Sequence, residues 1–287
     1  MGSSKGVRSS LFILRGVLMY FNYPVYIYGN DKRQLFLGKL LKKNGFNVIN
    51  VSECKNDGSD ISYRANEPEI IIVPIAAPKD IFDEIIPFIH KNCFIIGGLL
   101  PSYLTDICIA EGASFFDYIK LPQLAILNAV ATAEGAICEA IRYSDINIQG
   151  SRCLVIGYGK CGSVIASKLN ALKADTYVLT NNDYDKSRIT ANGLKLHEND
   201  FSIYEHIFNT APSPVITPQI IDSLCDDCTI IDIASSPGGT DFDYCKKKNI
   251  KAKLCLGLPA EYSPKTSAEI ILKEIITAIN TQKWSCQ

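Results

Sequence analysis

Short apolar runs and longer amphipathic stretches alternate along most of this chain. The first run, at residues 24–28, ends at Gly29-Asn30-Asp31, and a stretch with leucines at helical spacing follows at residues 34–43. Strands that alternate with helices in this way are typical of parallel sheets. The pattern therefore predicts an α/β fold.

The first predicted unit, residues 19–121, has five strands, at residues 24–28, 46–51, 70–73, 93–96 and 114–117. Pro74 predicts the end of the third strand, because proline cannot donate to a sheet ladder. Gly97 and Gly98 predict a turn after the fourth strand. Residues 1–18 do not continue this pattern, and we interpret them as a tag or a mis-called start.

A long helix within residues 122–145 is predicted to link this unit to a second one at residues 146–262. The strands of the second unit are predicted at residues 153–156, 176–179, 207–208, 229–233 and 252–256, with a helix at 187–192. A closing helix within residues 263–287 carries isoleucines on one face, and we expect it to pack on the first unit. Hydrophobic residues make up 47% of the 287 residues, which is enough for two cores.

The strand at residues 153–156 runs into Gly157-Tyr158-Gly159-Lys160-Cys161-Gly162, which matches G-x-G-x-x-G and precedes a helical pattern. Gly157 would make the tight turn, Gly159 would let the backbone approach a pyrophosphate, and Gly162 would let the helix pack closely on the strand. The helix N-terminus would offer free N–H groups to the phosphates. This context favours a dinucleotide site over a purely structural turn. We therefore predict two Rossmann-like parallel-sheet domains with a cleft between them, similar to the layout of formate and glycerate dehydrogenases.

Charge and cysteine content argue against several classes of function. A formal net charge of −1 gives no general attraction to nucleic acid or an anionic membrane, and no apolar run approaches the roughly 20 residues of a membrane span. Most of the eleven cysteines lie within apolar segments, which suits a reducing cytoplasm. Cys225-Asp226-Asp227-Cys228 has no second pair and no nearby histidine pair, so we predict no metal site.

In an open parallel sheet, ligands bind beyond the carboxyl ends of the strands. In the first unit, Asn30, Asp31 and Arg33 follow such an end, and a guanidinium suits bidentate binding of a carboxylate. The alternative interpretation is a helix cap with surface charges. A second anion-binding position, or else a simple turn, is expected at Gly97, Gly98 and Ser102.

Glu134 lies among small residues on the long helix. Such an acid binds substrate, or acts as a base if burial raises its pKa, and the alternative is an exposed surface acid. Lys265 is either a partner for a carboxylate or a surface residue on the first turn of the last helix. No His–acid pair of the hydroxyacid dehydrogenase kind is found, and we expect all three histidines at the surface: His90, His197 and His206.

Cofactor contacts are expected from the glycine motif, from the turn after the next strand and from two later loops. They are Gly157, Tyr158, Gly159, Lys160, Cys161, Gly162, Thr180, Asn181, Asn182, Thr210, Ala211, Pro212, Ala234, Ser235 and Ser236. The adenine ribose is usually selected just after the second strand. Because Lys186 and Arg188 follow that turn and suit a 2′-phosphate, NADP is favoured, and NAD stays open.

The motifs resemble those of the dipicolinate synthase A-subunit family of spore-forming bacteria, over nearly all of the chain from Met19 onward. The resemblance rests on residues 29–34, 132–135, 155–162 and 235–242, of which the last, continued by 257–259 and 263–266, is the most specific. It implies an oxidoreductase that takes dihydrodipicolinate, from the lysine and diaminopimelate pathway, to dipicolinate. It also implies NADP as acceptor, an oligomer whose partner is a flavoprotein B subunit, and the mother-cell cytoplasm during sporulation. The family often carries arginine in place of Asn181, so NADP binding would depend here on Lys186 or Arg188.

Dipicolinate carries two carboxylates beside a ring nitrogen, so its site needs two anion-binding groups. We expect Arg33 and the Gly97-Gly98 turn at one carboxylate and Lys265 near the other. The expected substrate contacts are Asn30, Arg33, Gly97, Gly98, Ser102, Thr132 and Lys265, and the candidate bases are Glu134 and Asp31. Two rival classes stay open: a D-2-hydroxyacid-dehydrogenase-like enzyme, and a non-catalytic nucleotide-binding protein that regulates its partner.

Overall fold

The computed structural model describes residues 23–57 and 69–281, and the chain forms two compact units. The first unit contains the described residues up to Ala125 and those from Pro264 onward, and the second contains Ile126–Ser263. Each unit is a parallel sheet with helices, so the predicted α/β class with two parallel sheets is confirmed. The segment 1–18, which we interpret as a tag or a mis-called start, lies outside the described residues.

The first sheet has five parallel strands in the order β2-β1-β3-β4-β5. They are β1 (Pro24–Ile27), β2 (Asn47–Asn50), β3 (Glu69–Ile75), β4 (Cys93–Gly98) and β5 (Ser114–Asp117). The helices between them are α1 (Lys32–Lys43), α2 (Val51–Asp57), α3 (Lys79–Ile85) and α4 (Ser102–Ala110), with 3₁₀ turns at Ile86–Phe88 and Tyr118–Lys120. This is the flavodoxin-like strand order, whose ligand position is the reversal point between β1 and β3.

The prediction that Pro74 ends the third strand is wrong. Strand β3 continues through Pro74 to Ile75, and its register with β4 shifts between Ile72 and Ile75. A proline within a sheet is tolerated at such an irregularity, because the ladder there does not require its missing N–H group. Strand β3 therefore extends two residues further toward the carboxyl edge of the sheet than predicted.

A long helix, α5 (Pro122–Tyr143), follows the first sheet. By length and composition alone it could cross a membrane, although polar residues such as Asn128 and Glu134 interrupt its apolar run. The folded chain buries 50% of its most apolar window. Ala133, Ala136 and Ala140 are fully buried in the core of the second unit. A helix buried in the core of a protein can be as long and as apolar as a membrane span, so the composition of α5 is weak evidence for a membrane.

The second sheet has six parallel strands in the order β11-β10-β9-β6-β7-β8. They are β6 (Arg152–Ile156), β7 (Asp175–Leu179), β8 (Lys195–Leu196), β9 (His206–Asn209), β10 (Thr229–Asp232) and β11 (Lys251–Leu254). The helices are α6 (Lys160–Ala171), α7 (Asp183–Ala191), α8 (Pro218–Ile221), α9 (Phe242–Lys247) and α10 (Leu258–Tyr262). This is the strand order of the Rossmann fold, with its reversal point between β6 and β9.

The last helix, α11 (Pro264–Thr281), packs on α1 in the first unit. Ala268, Ile271 and Ile275 share one buried cluster with Leu37 and Leu41. Residues three and four positions apart lie on the same face of a helix, so this stripe buries against one neighbour.

His206 is a correction to the expectation that all three histidines lie at the surface. It is the first residue of β9, fully buried, and burial lowers the pKa of its ring. A central strand that pairs with both β6 and β10 is covered on both faces, even though only two of its four residues are apolar. His90 and His197 are half-buried.

Candidate functional site

The glycine motif forms a tight turn between β6 and α6. Gly157 has a φ of 91°, and its N–H donates to the carbonyl of Leu179 (2.9 Å). A Cβ atom on Gly157 would lie 2.5 Å from Thr210 Oγ1, and one on Gly162 would overlap the carbonyl of Gly157. Both positions therefore exclude a side chain, one because of its backbone conformation and both because of close packing.

The N-terminus of α6 is open. Gly159 is its N-cap residue, no side chain caps the helix, and a Cβ atom on Gly159 would meet nothing within 4 Å. The first N–H groups of a helix lack intrahelical partners and carry the positive end of its dipole. This end of α6 thus has both the free donors and the space that a pyrophosphate requires.

Three motif residues differ in how their side chains are placed. Lys160 is exposed, whereas Cys161 is half-buried. Burial raises the pKa of the Cys161 thiol, and a hydrogen bond with Thr132 offsets part of this rise. Tyr158 is buried in the core of the second unit, where its hydroxyl accepts a hydrogen bond from Asn192 Nδ2 (3.1 Å). The contact predicted for Tyr158 would therefore come from its backbone.

The turn after β7 is organised as a helix cap. The side chain of Asn182 accepts a hydrogen bond from the amide of Tyr184 (2.9 Å), and Thr180 Oγ1 accepts one from the amide of Asn182 (3.2 Å). The Asn182 side chain is therefore engaged in capping α7, whereas Asn181 is exposed.

Two basic residues on α7 lie beyond this cap. Lys186 pairs with Asp183 (2.8 Å), and Arg188 pairs with Asp185 (3.0 Å). The Arg188 guanidinium also lies over the ring of Tyr158, 5.2 Å from its centroid. Arg188 is therefore held directly against a residue of the glycine motif by a cation–π contact.

A buried polar network, which sequence reasoning missed, fixes the two loops after β9 and β10. The Asp232 carboxylate is fully buried and accepts hydrogen bonds from Asn209 Nδ2 (3.0 Å), the amides of Ala234 and Gly239 (both 2.9 Å) and Thr240 Oγ1 (2.7 Å). A buried carboxylate requires such a set of donors. The signal available in the sequence was the polar residue at the last position of each strand, Asn209 in β9 and Asp232 in β10.

The predicted loop residues surround this network. Thr210 Oγ1 donates to the carbonyl of Ile156 (2.9 Å), which ties the first loop to the end of β6. Gly239 brings the loops together, since a Cβ atom there would lie 2.5 Å from the carbonyl oxygen of Ser213. Of the remaining predicted contacts, Ala211 is half-buried and Ala234 is buried. The other three are exposed: Pro212, Ser235 and Ser236.

Glu134 lies on the exposed face of α5 and pairs with Lys168 of α6 (2.9 Å). The neighbouring Gly135 is a packing residue, because a Cβ atom there would lie 2.9 Å from the ring of Tyr262. The base role of Glu134 stays a prediction, and its present partner is a surface lysine.

Glu139, one turn further along α5, is a buried acid that sequence reasoning did not single out. It accepts hydrogen bonds from Lys253 Nζ (2.6 Å) and from the Tyr262 hydroxyl, and these bonds lower its pKa. Burial, together with Glu139, raises the pKa of Tyr262 to about 12. The cluster fastens α10 and β11 to α5.

In the first unit, the first turn of α1 carries a buried cation, Arg33. Asp31 caps α1 by accepting a hydrogen bond from the amide of Gln34 (2.9 Å). Arg33 is 8% exposed, and its guanidinium lies 3.9 Å from the Asp31 carboxylate. Gln34 is 2% exposed, and its Nε2 has no hydrogen-bond partner. A buried guanidinium suits a carboxylate ligand. Sequence reasoning missed Gln34, the next residue of the helix, whose buried amide donor is unpaired.

Of the two alternatives for Gly97 and Gly98, the simple turn is wrong, and the anion-binding position stays a prediction. They are the last two residues of β4 and are buried, and a Cβ atom on Gly97 would lie 2.5 Å from Val73 Cγ2. The chain turns one residue later, at Leu99, where Asp117 accepts a hydrogen bond from the Leu99 amide (3.1 Å). Packing against neighbouring side chains accounts for both glycines. Two further predicted residues are exposed at helix starts: Ser102 on α4 and Lys265 on α11.

Within the described ranges, one group of potential metal ligands lies together at the amino ends of β3 and β4. Glu69, His90 and Cys93 offer ligand atoms within 4.8 Å of one another. However, His90 Nδ1 accepts a hydrogen bond from the Asn92 amide (3.2 Å), and burial raises the pKa of Cys93 to about 11. Metal binding at this group would release the thiol proton and break the hydrogen bond from the Asn92 amide.

Comparison with known proteins supports the sequence resemblance. No protein-family profile matches the chain. The A subunit of dipicolinate synthase from Bacillus subtilis (strain 168) is 33% identical over 201 residues, in a match that covers 67% of this chain and 67% of that protein.

Solved structures show the same relationship. The crystal structure of the dipicolinate synthase A subunit from Bacillus halodurans superposes with a TM-score of 0.75 at 26% identity, covering 90% of this chain and 97% of that one. The apo-structure of D-lactate dehydrogenase from Escherichia coli has a TM-score of 0.60 at 11% identity, covering 92% and 98% of the two chains, and shows the fold alone. With a dehydrogenase-like fold and this level of identity, the chain belongs to the family of dipicolinate synthase A subunits.

Proposed function

We propose that this chain acts as the A subunit of a dipicolinate synthase and carries out the NADP-linked oxidation of dihydrodipicolinate to dipicolinate for spore formation. The open, uncapped N-terminus of α6 beneath the glycine turn is the observation that carries the proposal. Membership in the dipicolinate synthase A-subunit family supports the choice of substrate.

The cofactor we propose is NADP rather than NAD. The nicotinamide group supplies hydride acceptance, and the pyrophosphate would lie at the amides of the first turn of α6. Arg188 supports the choice of NADP, because it lies against the motif residue Tyr158 and its guanidinium suits a 2′-phosphate. Asn181 carries no charge, so it would not supply the charge-assisted contact that an arginine at this position would supply.

For the substrate, we propose that the buried Arg33 holds one carboxylate and that Lys265 holds the other. Oxidation removes a hydride and a proton from the dihydropyridine ring, and aromatisation favours the products. A bound nicotinamide would accept the hydride, and Glu134 or Asp31 would accept the proton. The chain thereby contributes mainly orientation of the ring and acceptance of one proton.

We further propose that the partner is a flavoprotein B subunit and that the complex works in the mother-cell cytoplasm. The name of the Bacillus subtilis relative, which designates it as one of the subunits of its enzyme, indicates an assembly of more than one kind of chain. A cytoplasmic location also fits the net charge of −1, which gives no general attraction to an anionic membrane.

The direct test is NADPH formation from dihydrodipicolinate with only this chain, with only the B subunit, and with both. We expect activity with both, and with only this chain if it holds the complete site. Full activity with only the B subunit would exclude a catalytic role and would favour the alternative of a regulatory nucleotide-binding protein. Full turnover by Glu134→Gln would exclude Glu134 as the base.

The substrate site is tested by Arg33→Ala. Loss of a charge-assisted hydrogen bond, worth about 1.5–3 kcal/mol, should raise the Michaelis constant for the substrate by roughly 10- to 100-fold. The exposed neighbour Lys32 offers a matched control, and Lys32→Ala should leave that constant unchanged. An unchanged Michaelis constant in folded Arg33→Ala protein would remove this anchor from the proposal.

A further inference from the structure

Cys225 and Cys228 differ from the other thiols of the described chain in both geometry and chemistry. They lie in the segment between α8 and β10, away from the glycine motif in sequence, and the proposed function does not use them. Both are free cysteines. Cys225 is half-buried, whereas Cys228 is fully buried.

A tight turn brings the two residues together. The amide of Cys228 donates to the carbonyl of Cys225 (3.0 Å), with Asp226 and Asp227 at the two central positions. Such a turn holds its first and fourth Cα atoms within about 7 Å, and a disulfide needs roughly 4.4–6.8 Å. The backbone therefore already has a separation that a disulfide can accept.

The Cys228 thiol lies within hydrogen-bonding reach of the Cys225 sulfur. The Cys225 thiol also donates a hydrogen bond to the carbonyl oxygen of Tyr204 (3.2 Å), which holds the side chain in place. This arrangement gives the half-buried sulfur a thiol neighbour that can stabilise it as a thiolate.

The thiol chemistry separates Cys225 from the rest. The hydrogen bond from Cys228 lowers the pKa of Cys225 to about 7, whereas burial raises the pKa of Cys153, Cys245 and Cys255 to about 11. Among the cysteines of the described residues, Cys225 is the one with a lowered pKa. A half-buried thiolate is the nucleophile in thiol–disulfide exchange.

We propose that Cys225 and Cys228 form a reversible dithiol–disulfide site that reacts with low-molecular-weight disulfides. The Cys225 thiolate attacks one sulfur of the oxidant, which forms a mixed disulfide and releases one thiol. Cys228 then attacks the sulfur of Cys225, which forms the intrachain disulfide and releases the second thiol. Two electrons pass to the oxidant, and the two protons of the dithiol end on the released thiols.

The test uses the full chain, first reduced and then equilibrated with oxidised glutathione, followed by peptide mapping by mass spectrometry. We expect a Cys225–Cys228 disulfide in the wild type and in the control Cys138→Ser, which removes another half-buried thiol. Cys228→Ser should instead retain glutathione on Cys225, because the resolving thiol is absent. Cys225→Ser should form neither product in this segment.

Alkylation of the reduced wild type gives a second measurement that needs no variant to fold. With its thiolate fraction increased, Cys225 should react with iodoacetamide several-fold faster than Cys138 at neutral pH, the gain being partly offset by the lower nucleophilicity of a more acidic thiol. If oxidised glutathione yields no Cys225–Cys228 disulfide in the wild type, or if Cys225 is alkylated no faster than Cys138, the proposal is overturned. Neither result depends on dipicolinate formation.

Discussion

The two units begin with the same local arrangement and then use it differently. In each, a glycine with positive φ closely follows the first strand, 86° at Gly29 and 91° at Gly157, and a helix begins shortly after it. In the first unit, the carboxylate of Asp31 caps that helix. In the second unit, Gly159 leaves the helix uncapped.

This difference decides which anion each turn can bind. A carboxylate at a helix N-terminus uses its free N–H groups and repels a phosphate, whereas an open N-terminus attracts one. The first unit is left with the buried Arg33 as its anion-binding group. A strand, a glycine and a helix are therefore not sufficient for a dinucleotide site, and the residue at the cap position is decisive.

The largest expected effect comes from removing the network that fixes the loops beside the second turn. Asp232→Ala leaves several buried donors unpaired and should lower the free energy of unfolding by about 3–5 kcal/mol, as measured by urea denaturation. Asp243→Ala, at an exposed acid in the first turn of α9, should cost less than about 1 kcal/mol. Equal losses for the two variants would contradict the role of the network.

Placing an acidic residue at the N-cap of α6 should make the start of that helix resemble the start of α1, which Asp31 caps. Gly159→Asp adds a capping carboxylate in open space, so stability should hold or rise while NADPH affinity falls about 30-fold, or about 2 kcal/mol. Gly159→Asn adds a side chain of similar size without charge and should bind NADPH more tightly than the aspartate variant. Equal affinities in a fluorescence titration would show that charge at the cap position is unimportant.

A smaller effect is expected at the 2′-phosphate. Arg188→Gln should weaken NADPH binding about ten-fold, or about 1.4 kcal/mol, and leave NADH binding unchanged, because only NADPH carries that phosphate. Lys195→Gln removes an exposed lysine that pairs with Asp175 and serves as the control. If Lys186→Gln selectively weakens NADPH binding and Arg188→Gln does not, the phosphate contact belongs to Lys186.

Removing the acidic N-cap of α1 should have the smallest effect. Asp31→Ala removes a helix cap and should lower the free energy of unfolding by about 1 kcal/mol without changing NADPH affinity. Asp31→Asn retains a capping oxygen and should recover most of that stability. A marked loss of NADPH affinity in Asp31→Ala would mean that the first turn contributes to the nucleotide site after all.

Local pattern was most informative where backbone chemistry dominates. The run at residues 153–156 followed by G-x-G-x-x-G predicted a strand, a turn and a helix, and these elements occur at β6 and α6. The same kind of reasoning was wrong at Gly97 and Gly98, because glycine marks close packing as well as turns. It was also wrong for His206, whose burial depends on the strands on either side.

The sequence by itself determined the α/β class, the glycine turn and the family, because these depend on residue spacing and identity along the chain. Strand order and the partners of buried polar groups were decided only by the tertiary structure. Asp232 meets Asn209 and Thr240 only when the strand ends are assembled, and the burial of Arg33 and Gln34 likewise depends on what packs around their helix. A hydrogen bond depends on distance and burial in three dimensions, which spacing along a chain does not specify.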